Sequence, residues 1–231
     1  MVYSVSKRSA LIALGFLVGA ANLGIVARLY FPQNIGQGLF VATRLWILGL
    51  PLLWFFRVER RRLALVWPTR SELWQGLGLG GLMFVVIWIA YWYIGRPWMD
   101  VDAIRSTAAT LRLDNRGIFL AFAVYFTVVN ALVEEYIWRW FVCRQCEVFL
   151  PDLGAVGLAA FCFTLHHIVA LQGYIGNGFI TVLGALGVFI AGLIWSVFYV
   201  RYRSLWICCI SHLIADLAIA IVAGQILFGD I

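Results

Sequence analysis

The stretch "GIFLAFAVYFTVVNALVEEYIWRWFV", residues 117 to 142, decides the fold class of this chain. Its first fourteen residues carry no charge, and two carboxylates and an arginine (Glu134, Glu135 and Arg139) then follow within six positions. An apolar run of about 20 residues is long enough for a helix to cross a bilayer. An ionised side chain inside hydrocarbon costs at least about 2.5–3.5 kcal/mol. A charge cluster on a membrane helix therefore calls for a functional or structural reason.

The composition of the whole chain agrees with a membrane protein. Of its 231 residues 64% are hydrophobic and 12% are charged, whereas a soluble domain carries about 25% charged residues. The net charge of +6 does not predict a nucleic-acid partner, because the basic residues lie between apolar runs, where they orient a protein in the bilayer.

Seven apolar stretches are long enough to span the membrane as helices. They cover residues 9–29, 38–56, 73–94, 117–142, 154–173, 178–200 and 205–228. No stretch alternates with the period of two that a membrane β-barrel requires. The sequence predicts an all-α, polytopic bundle of about seven spans. This single membrane domain, 1–231, would comprise N-terminal spans and an interfacial segment (1–116) and a core (117–228).

Basic residues in the short loops predict the orientation. If there are seven spans, ten basic residues fall on one side and five on the other. The ten are Lys7, Arg8, Arg57, Arg60, Arg61, Arg62, Arg70, Arg144, Arg201 and Arg203, and the five are Arg28, Arg96, Arg105, Arg112 and Arg116. The excess places the N-terminus in the cytoplasm and the C-terminus outside. A cleaved signal peptide is the alternative for the first span. Small size and composition favour a bacterial inner membrane.

Three shorter features have structural interpretations. The polar insert 95–116 places Val101, Ile104, Ala108 and Leu111 at helical spacing, which predicts an interfacial helix. The run "GLGLGG", 76–81, resembles a nucleotide-binding loop but follows no strand, so it favours close helix packing. The CxxC formed by Cys143 and Cys146 is a weak signal for metal or redox chemistry, and packing is the better interpretation.

Ionisable residues inside the spans are candidates for function. They are Arg44, Glu134, Glu135, Arg139, His166, His167, His212 and Asp216. Glu135 and Arg139 are four residues apart in the favourable order for an ion pair. Glu134 points about 100° away on the helix, so it is left for a different partner. His212 and Asp216 also share one helix face.

These residue types limit the possible chemistry. No serine lies in a nucleophile elbow and no HExxH occurs. A buried glutamate beside a histidine can hold and deprotonate a water molecule, and a second histidine can donate to an oxyanion. Two histidines with carboxylates, such as His167, His212 and one acid, can equally ligate zinc. Both arrangements lead to hydrolysis of an amide or ester within the membrane, in the half that the orientation makes cytoplasmic.

Three motifs occur in order on successive spans: "EEYIWR" (134–139), "FTLHH" (163–167) and "HLIAD" (212–216). They match EExxxR, FxxxH and HxxxN/D. The region from about 117 to 228 thereby resembles the CPBP family, the type II CAAX prenyl endopeptidases and their bacterial relatives, also called Abi proteins. The resemblance implies an all-helical intramembrane endopeptidase.

The resemblance also implies roles for individual residues. Glu134 and His167 would activate water, and His212 with Asp216 would stabilise the oxyanion. Glu135 and Arg139 would form a supporting pair. His166 does not belong to FxxxH and is interpreted as a supporting or packing residue. Asp216 stands where the motif prefers Asn; an ionised Asp cannot donate to an oxyanion, so it is either protonated or orients His212.

The expected partners are a membrane-anchored protein or peptide substrate and the lipid bilayer. The family has been described both as metalloproteases and as glutamate-dependent enzymes; here a mechanism without a cofactor is favoured, and zinc is the alternative. Two other classes of function stay open. One is a non-catalytic scaffold or bacteriocin-immunity protein of the same fold. The other is a proton-coupled transporter, for which no internal repeat in the hydropathy was found.

Overall fold

The computed structural model describes residues 5–60 and 67–229, and over these ranges every regular element is a helix. Seven of the described helices are long and apolar enough to cross a membrane, which confirms the predicted all-α bundle. These spans and one shorter helix are α1 (Lys7–Tyr30), α2 (Gln33–Arg57), α3 (Arg70–Trp98), α4 (Val101–Thr110), α5 (Arg116–Cys146), α6 (Asp152–Ile175), α7 (Gly178–Tyr202) and α8 (Trp206–Phe228).

Polar side chains at the helix starts explain several of these bounds. Thr69 and Glu72 form a capping box at the start of α3, in which the Thr69 hydroxyl accepts from the backbone N–H of Glu72. Asn115 and Asn177 are the N-caps of α5 and α7, and their side-chain oxygens accept from backbone N–H groups of the first turn. Each cap satisfies backbone N–H groups that the first helical turn leaves unpaired.

The long helix α5 is not uniformly α-helical. An α-helical turn, Ala131–Glu135, lies between two π-helical segments, Tyr125–Asn130 and Tyr136–Cys143. A π-turn holds an extra residue and rotates the side chains that follow, and such turns are frequent at functional sites. The charge cluster of the opening stretch lies at this change of helical geometry.

Helices α3 and α8 pack closely through glycines of the "GLGLGG" run, as the sequence predicted. A Cβ on Gly76 would lie 2.8 Å from Cβ of Ile210, and one on Gly80 would lie 2.8 Å from Cβ of Ile214. These distances are below van der Waals contact, so only glycine permits this approach. The contact fixes the position of α8, the helix that carries His212.

Ion pairs join the helix ends at one side of the bundle. Glu59, at the end of α2, binds Arg144 and accepts a hydrogen bond of 2.9 Å from Nε2 of Gln145 on α5. Arg203, directly after α7, donates to Glu147 at 2.6 and 2.7 Å, and this bond raises the pKa of Arg203. The ends of α2, α5 and α7 therefore lie together, as the predicted topology requires. Two of the basic residues used to predict orientation, Arg61 and Arg62, lie outside the described residues.

The predicted interfacial helix corresponds to α4. Its Ala108 is buried and Val101 and Ile104 are half-buried, whereas Leu111 comes one residue after its end. The neighbouring Arg105 donates to the carbonyl oxygens of Ile226 and Gly229 at 2.9 and 3.0 Å. This helix therefore satisfies carbonyl groups at the end of α8.

Candidate active site

Three helices bring the predicted site residues together. Helix α5 supplies Glu134, Glu135 and Arg139, α6 supplies His166 and His167, and α8 supplies His212 and Asp216. Six of these seven side chains are buried, and His167 is half-buried. The remaining intramembrane candidate, Arg44 on α2, is not part of this group, and its guanidinium lies 4.8 Å from the ring centre of Phe40.

Glu134 lies at the centre of the group. Its Oε1 is 3.7 Å from Nε2 of His166, and its Oε2 is 3.6 Å from Nε2 of His212. Its residue exposure is only 7%. A buried carboxylate between two imidazoles can take up a proton and release it again, so it can act as a general base and then as a general acid.

Glu135 connects two helices. Its Oε1 lies 2.7 Å from Nδ1 of His212 and 3.1 Å from Nη1 of Arg139. The first contact is a hydrogen bond in which Nδ1–H of His212 donates, so it orients the imidazole and directs Nε2 toward Glu134. The second is the ion pair that the spacing of four residues predicted. The hydrogen bond to His212 could not be predicted from the spacing, because His212 lies on a different helix.

Arg139 is held more by aromatic rings than by hydrogen bonds. Its guanidinium carbon lies 4.4 Å from the ring centre of Phe163 and 4.9 Å from that of Trp195. None of its three side-chain nitrogens has an aligned hydrogen bond among the described residues. The ion pair with Glu135 and the attraction of the cation to the two ring faces therefore stabilise the buried charge.

His167 has a defined orientation. Its Nδ1 lies 3.0 Å from the backbone oxygen of Phe163, one turn earlier on α6. A carbonyl oxygen can only accept, so Nδ1 carries the proton and Nε2 of the neutral ring is an acceptor. The Phe163 ring meets the imidazole edge-on at 4.5 Å.

Asp216 lies on the other side of His212. Its Oδ1 is 3.5 Å from Nε2 of His212, which confirms that the two share a face, and its Oδ2 is buried without a hydrogen-bond partner among the described residues. The Asn130 side chain, one turn before Glu134, approaches the Asp216 carboxylate. Asn130 was not among the predicted site residues, although its spacing of four from Glu134 places it on the same helix face.

Two tryptophans that the motifs do not specify shape the site, Trp138 at a variable position of EExxxR and Trp195 outside all three motifs. Trp138 stacks on His166 at 4.9 Å and 7°, and Trp195 stacks on His212 at 4.1 Å and 17°. The Trp195 indole N–H donates to Ser211 at 2.9 Å. No sequence signal marks Trp195, because its helix α7 contributes no polar residue to the predicted set.

One group of described residues offers ligand atoms for a metal ion. Suitable nitrogen and oxygen atoms of Glu134, His166 and His167 all lie within 4.8 Å of one another. The zinc set predicted from the sequence was His167, His212 and one acid. The set in the structure contains His166 in place of His212. Tetrahedral zinc with bonds of about 2.0–2.1 Å holds its ligand atoms about 3.3 Å apart. The three side chains match zinc in the type of ligand atom that they offer.

Comparison with known families finds one match, which spans the site. Residues 116–218 match the family model of the Rce1-like type II CAAX prenyl endopeptidases. This segment, less than half of the chain, is similar to that family. It contains all seven predicted site residues, and the match confirms the resemblance inferred from the three motifs. No curated protein and no solved structure matches the chain.

The Rce1-like match and the seven apolar helices support an integral membrane protein with a CAAX-type protease core. The cysteines of the predicted CxxC, Cys143 and Cys146, are buried with free thiols. They pack in the hydrophobic core together with Trp138 and Phe163.

Proposed function

We propose that the protein is an intramembrane endopeptidase that hydrolyses a peptide bond of a membrane-anchored or lipidated protein or peptide. The observation that carries this proposal is the placement of Glu134. It is a buried carboxylate with an imidazole nitrogen 3.7 Å from one oxygen and 3.6 Å from the other, inside an Rce1-like segment.

In the proposed reaction, Glu134 and His167 hold the attacking water. Glu134 removes a proton from this water while the water oxygen attacks the scissile carbonyl carbon. Nε2 of His167 supports this role, because its tautomer leaves that nitrogen free to accept from the water. Burial strengthens each of these interactions, because little solvent competes.

His212 would stabilise the oxyanion that develops on the carbonyl oxygen. The Glu135 carboxylate accepts from Nδ1 and directs Nε2 into the site. The same nitrogen faces the carboxylates of Glu134 and Asp216 at 3.6 and 3.5 Å. Negative charge on both sides favours a protonated Nε2, which is the donor that an oxyanion needs. Asp216 would support this charge rather than contact the oxyanion.

Collapse of the tetrahedral intermediate then breaks the C–N bond. The proton that Glu134 took from the water passes to the leaving nitrogen, which becomes an amine, and the attacked carbon becomes that of a carboxylic acid. This acid then loses the second proton of the water to the amine or to solvent. Glu134 is ionised again at the end, so no group of the enzyme is consumed.

A zinc-dependent route uses the same residues differently. Glu134, His166 and His167 would hold the ion, which would polarise the carbonyl or lower the pKa of a bound water. We favour the route without metal, because Glu134 is the acid without a local counter-ion and the two histidines of this set are adjacent on α6, about 100° apart around the helix rather than on one face as in HExxH.

The orientation is part of the proposal. With the N-terminus in the cytoplasm and the C-terminus outside, the joined ends of α2, α5 and α7 face the cytoplasm. His212 lies six residues, or about 9 Å, from the start of α8 at that side. The site would then open toward the cytoplasmic half of a bacterial inner membrane.

The direct test is hydrolysis by purified protein in proteoliposomes. The substrates are a fluorogenic CAAX peptide with an S-prenyl group, the same peptide without it, and an apolar C-terminal anchor peptide. We expect cleavage of at least one, and none by Glu134→Gln. Absence of cleavage for all three, with folded protein in the bilayer, would favour the scaffold or immunity function.

A further inference from the structure

His166 is the histidine that the three motifs leave without a role. It is buried on α6 directly before His167, and the two ring centres lie 4.1 Å apart. Its Nε2 lies 3.7 Å from Oε1 of Glu134. His166 therefore forms part of the site in space, although it falls outside the FxxxH pattern.

The surroundings fix the plane of this imidazole. Trp138 stacks on it at 4.9 Å with an angle of 7° between the planes, and Phe163 meets it edge-on at 5.8 Å. Trp138 lies one turn after Glu134 on α5. One helix thus supplies both the carboxylate and the surface on which the histidine rests, so Nε2 stays directed at Glu134.

The second ring nitrogen shows which tautomer is favoured. Nδ1 of His166 is buried and has no hydrogen-bond partner among the described residues. A neutral imidazole has one N–H, and a buried N–H without an acceptor is strongly unfavourable. A proton on Nε2 instead points at the Glu134 carboxylate. The two neighbouring histidines therefore take opposite tautomers, His166 as a donor through Nε2 and His167 as an acceptor through Nε2.

We propose that His166 is a positioning residue: its Nε2–H points at Oε1 of Glu134, 3.7 Å away, and closes to a hydrogen bond when the attacking water binds, which orients this carboxylate toward the water. The proposal deepens the peptidase function above and rests on it for its kinetic consequence. The contact itself does not depend on that function.

Three variants separate the possible roles of His166. His166→Gln places an amide N–H near the position of Nε2, His166→Asn reaches only the position of Nδ1, and His166→Phe keeps a stacking ring without any donor. With the fluorogenic peptide in proteoliposomes, we expect Gln to stay within about threefold of wild-type kcat. Asn and Phe should lower kcat about ten- to hundredfold with KM nearly unchanged, as expected for loss of a hydrogen bond to a charged group.

Other patterns would overturn the proposal. Wild-type kcat for His166→Phe with a loss for His166→Gln would show that the ring only packs against Trp138. Equal losses for all three would show that a titrating nitrogen is required. Equal losses accompanied by loss of co-purified zinc would make His166 a metal ligand.

A measurement without substrate tests the contact separately. The thermal unfolding temperature Tm in detergent is compared for wild type, Glu134→Leu, His166→Phe and the double variant. We expect His166→Phe to lower Tm by about 2–4 °C more in the wild-type background than in Glu134→Leu. Equal shifts would refute the contact even if the protein is a peptidase. A larger loss of Tm in the wild-type background would support the contact between His166 and Glu134 even if no peptide is cleaved.

Discussion

Replacing Glu135 is expected to damage the fold and the site together, since its side chain holds groups on two helices. Its Oε1 accepts a hydrogen bond of 2.7 Å from Nδ1 of His212 and forms an ion pair of 3.1 Å with Nη1 of Arg139. The residue has no measurable exposure, and Arg139 is 1% exposed. In Glu135→Leu, the guanidinium of Arg139 remains buried without its carboxylate.

The magnitude follows from the burial. Removing one partner of a buried ion pair costs about 3–5 kcal/mol in the free energy of unfolding. At about 2–4 °C per kcal/mol for a chain of this size, Tm should fall by about 6–20 °C. Glu135→Gln should lose less, because the amide oxygen still accepts from His212.

The assay is thermal unfolding of purified protein in detergent, with Arg139→Met and the double variant Glu135→Leu/Arg139→Met as partners. Each single substitution strands a charge, whereas the double substitution removes both. The double variant should therefore lose clearly less than the sum of the single losses. Wild-type Tm for either single variant, or strict additivity in the double variant, would show that the pair does not stabilise the protein.

Three further predictions concern the base, the metal and the packing of α8. Glu134→Gln should abolish peptide cleavage while the protein accumulates and unfolds near the wild-type Tm; unchanged cleavage would remove Glu134 from the mechanism. Purified protein should contain substoichiometric zinc and keep its activity with a strong chelator, as measured by elemental analysis beside the peptide assay. About one zinc per chain with reversible loss on chelation would establish the metal route. Gly80→Ala should destabilise by about 1–3 kcal/mol, because the new methyl would lie 2.8 Å from Cβ of Ile214. The control Gly81→Ala, whose Cβ would meet no atom within 4 Å, should leave Tm unchanged or slightly raised, and equal losses in both would refute the packing argument.

The membrane helices could be predicted from the sequence because hydrocarbon satisfies no backbone polar groups, so a long apolar run has to be helical. The count of seven spans is correct for the described residues. Their ends differ from the predicted ones: α5 extends to Cys146 rather than to 142, because its last turns carry polar residues that pair with the end of α2.

Pairs within one helix were also predictable, since a spacing of four residues places two side chains on one face. Glu135 with Arg139 and His212 with Asp216 both lie within 3.5 Å of each other in the structure. The choice of Glu134 as the acid without a local cation follows from the same geometry.

Only the tertiary structure decided which side chains of different helices meet. His166 rather than His212 joins Glu134 and His167 in the possible metal group, and Glu135 reaches across to Nδ1 of His212. Spacing along one helix contains no information on the rotation of a neighbouring helix. That rotation is set by packing, such as the Gly80 contact of α3 with α8 and the π-helical turns of α5 around Glu134.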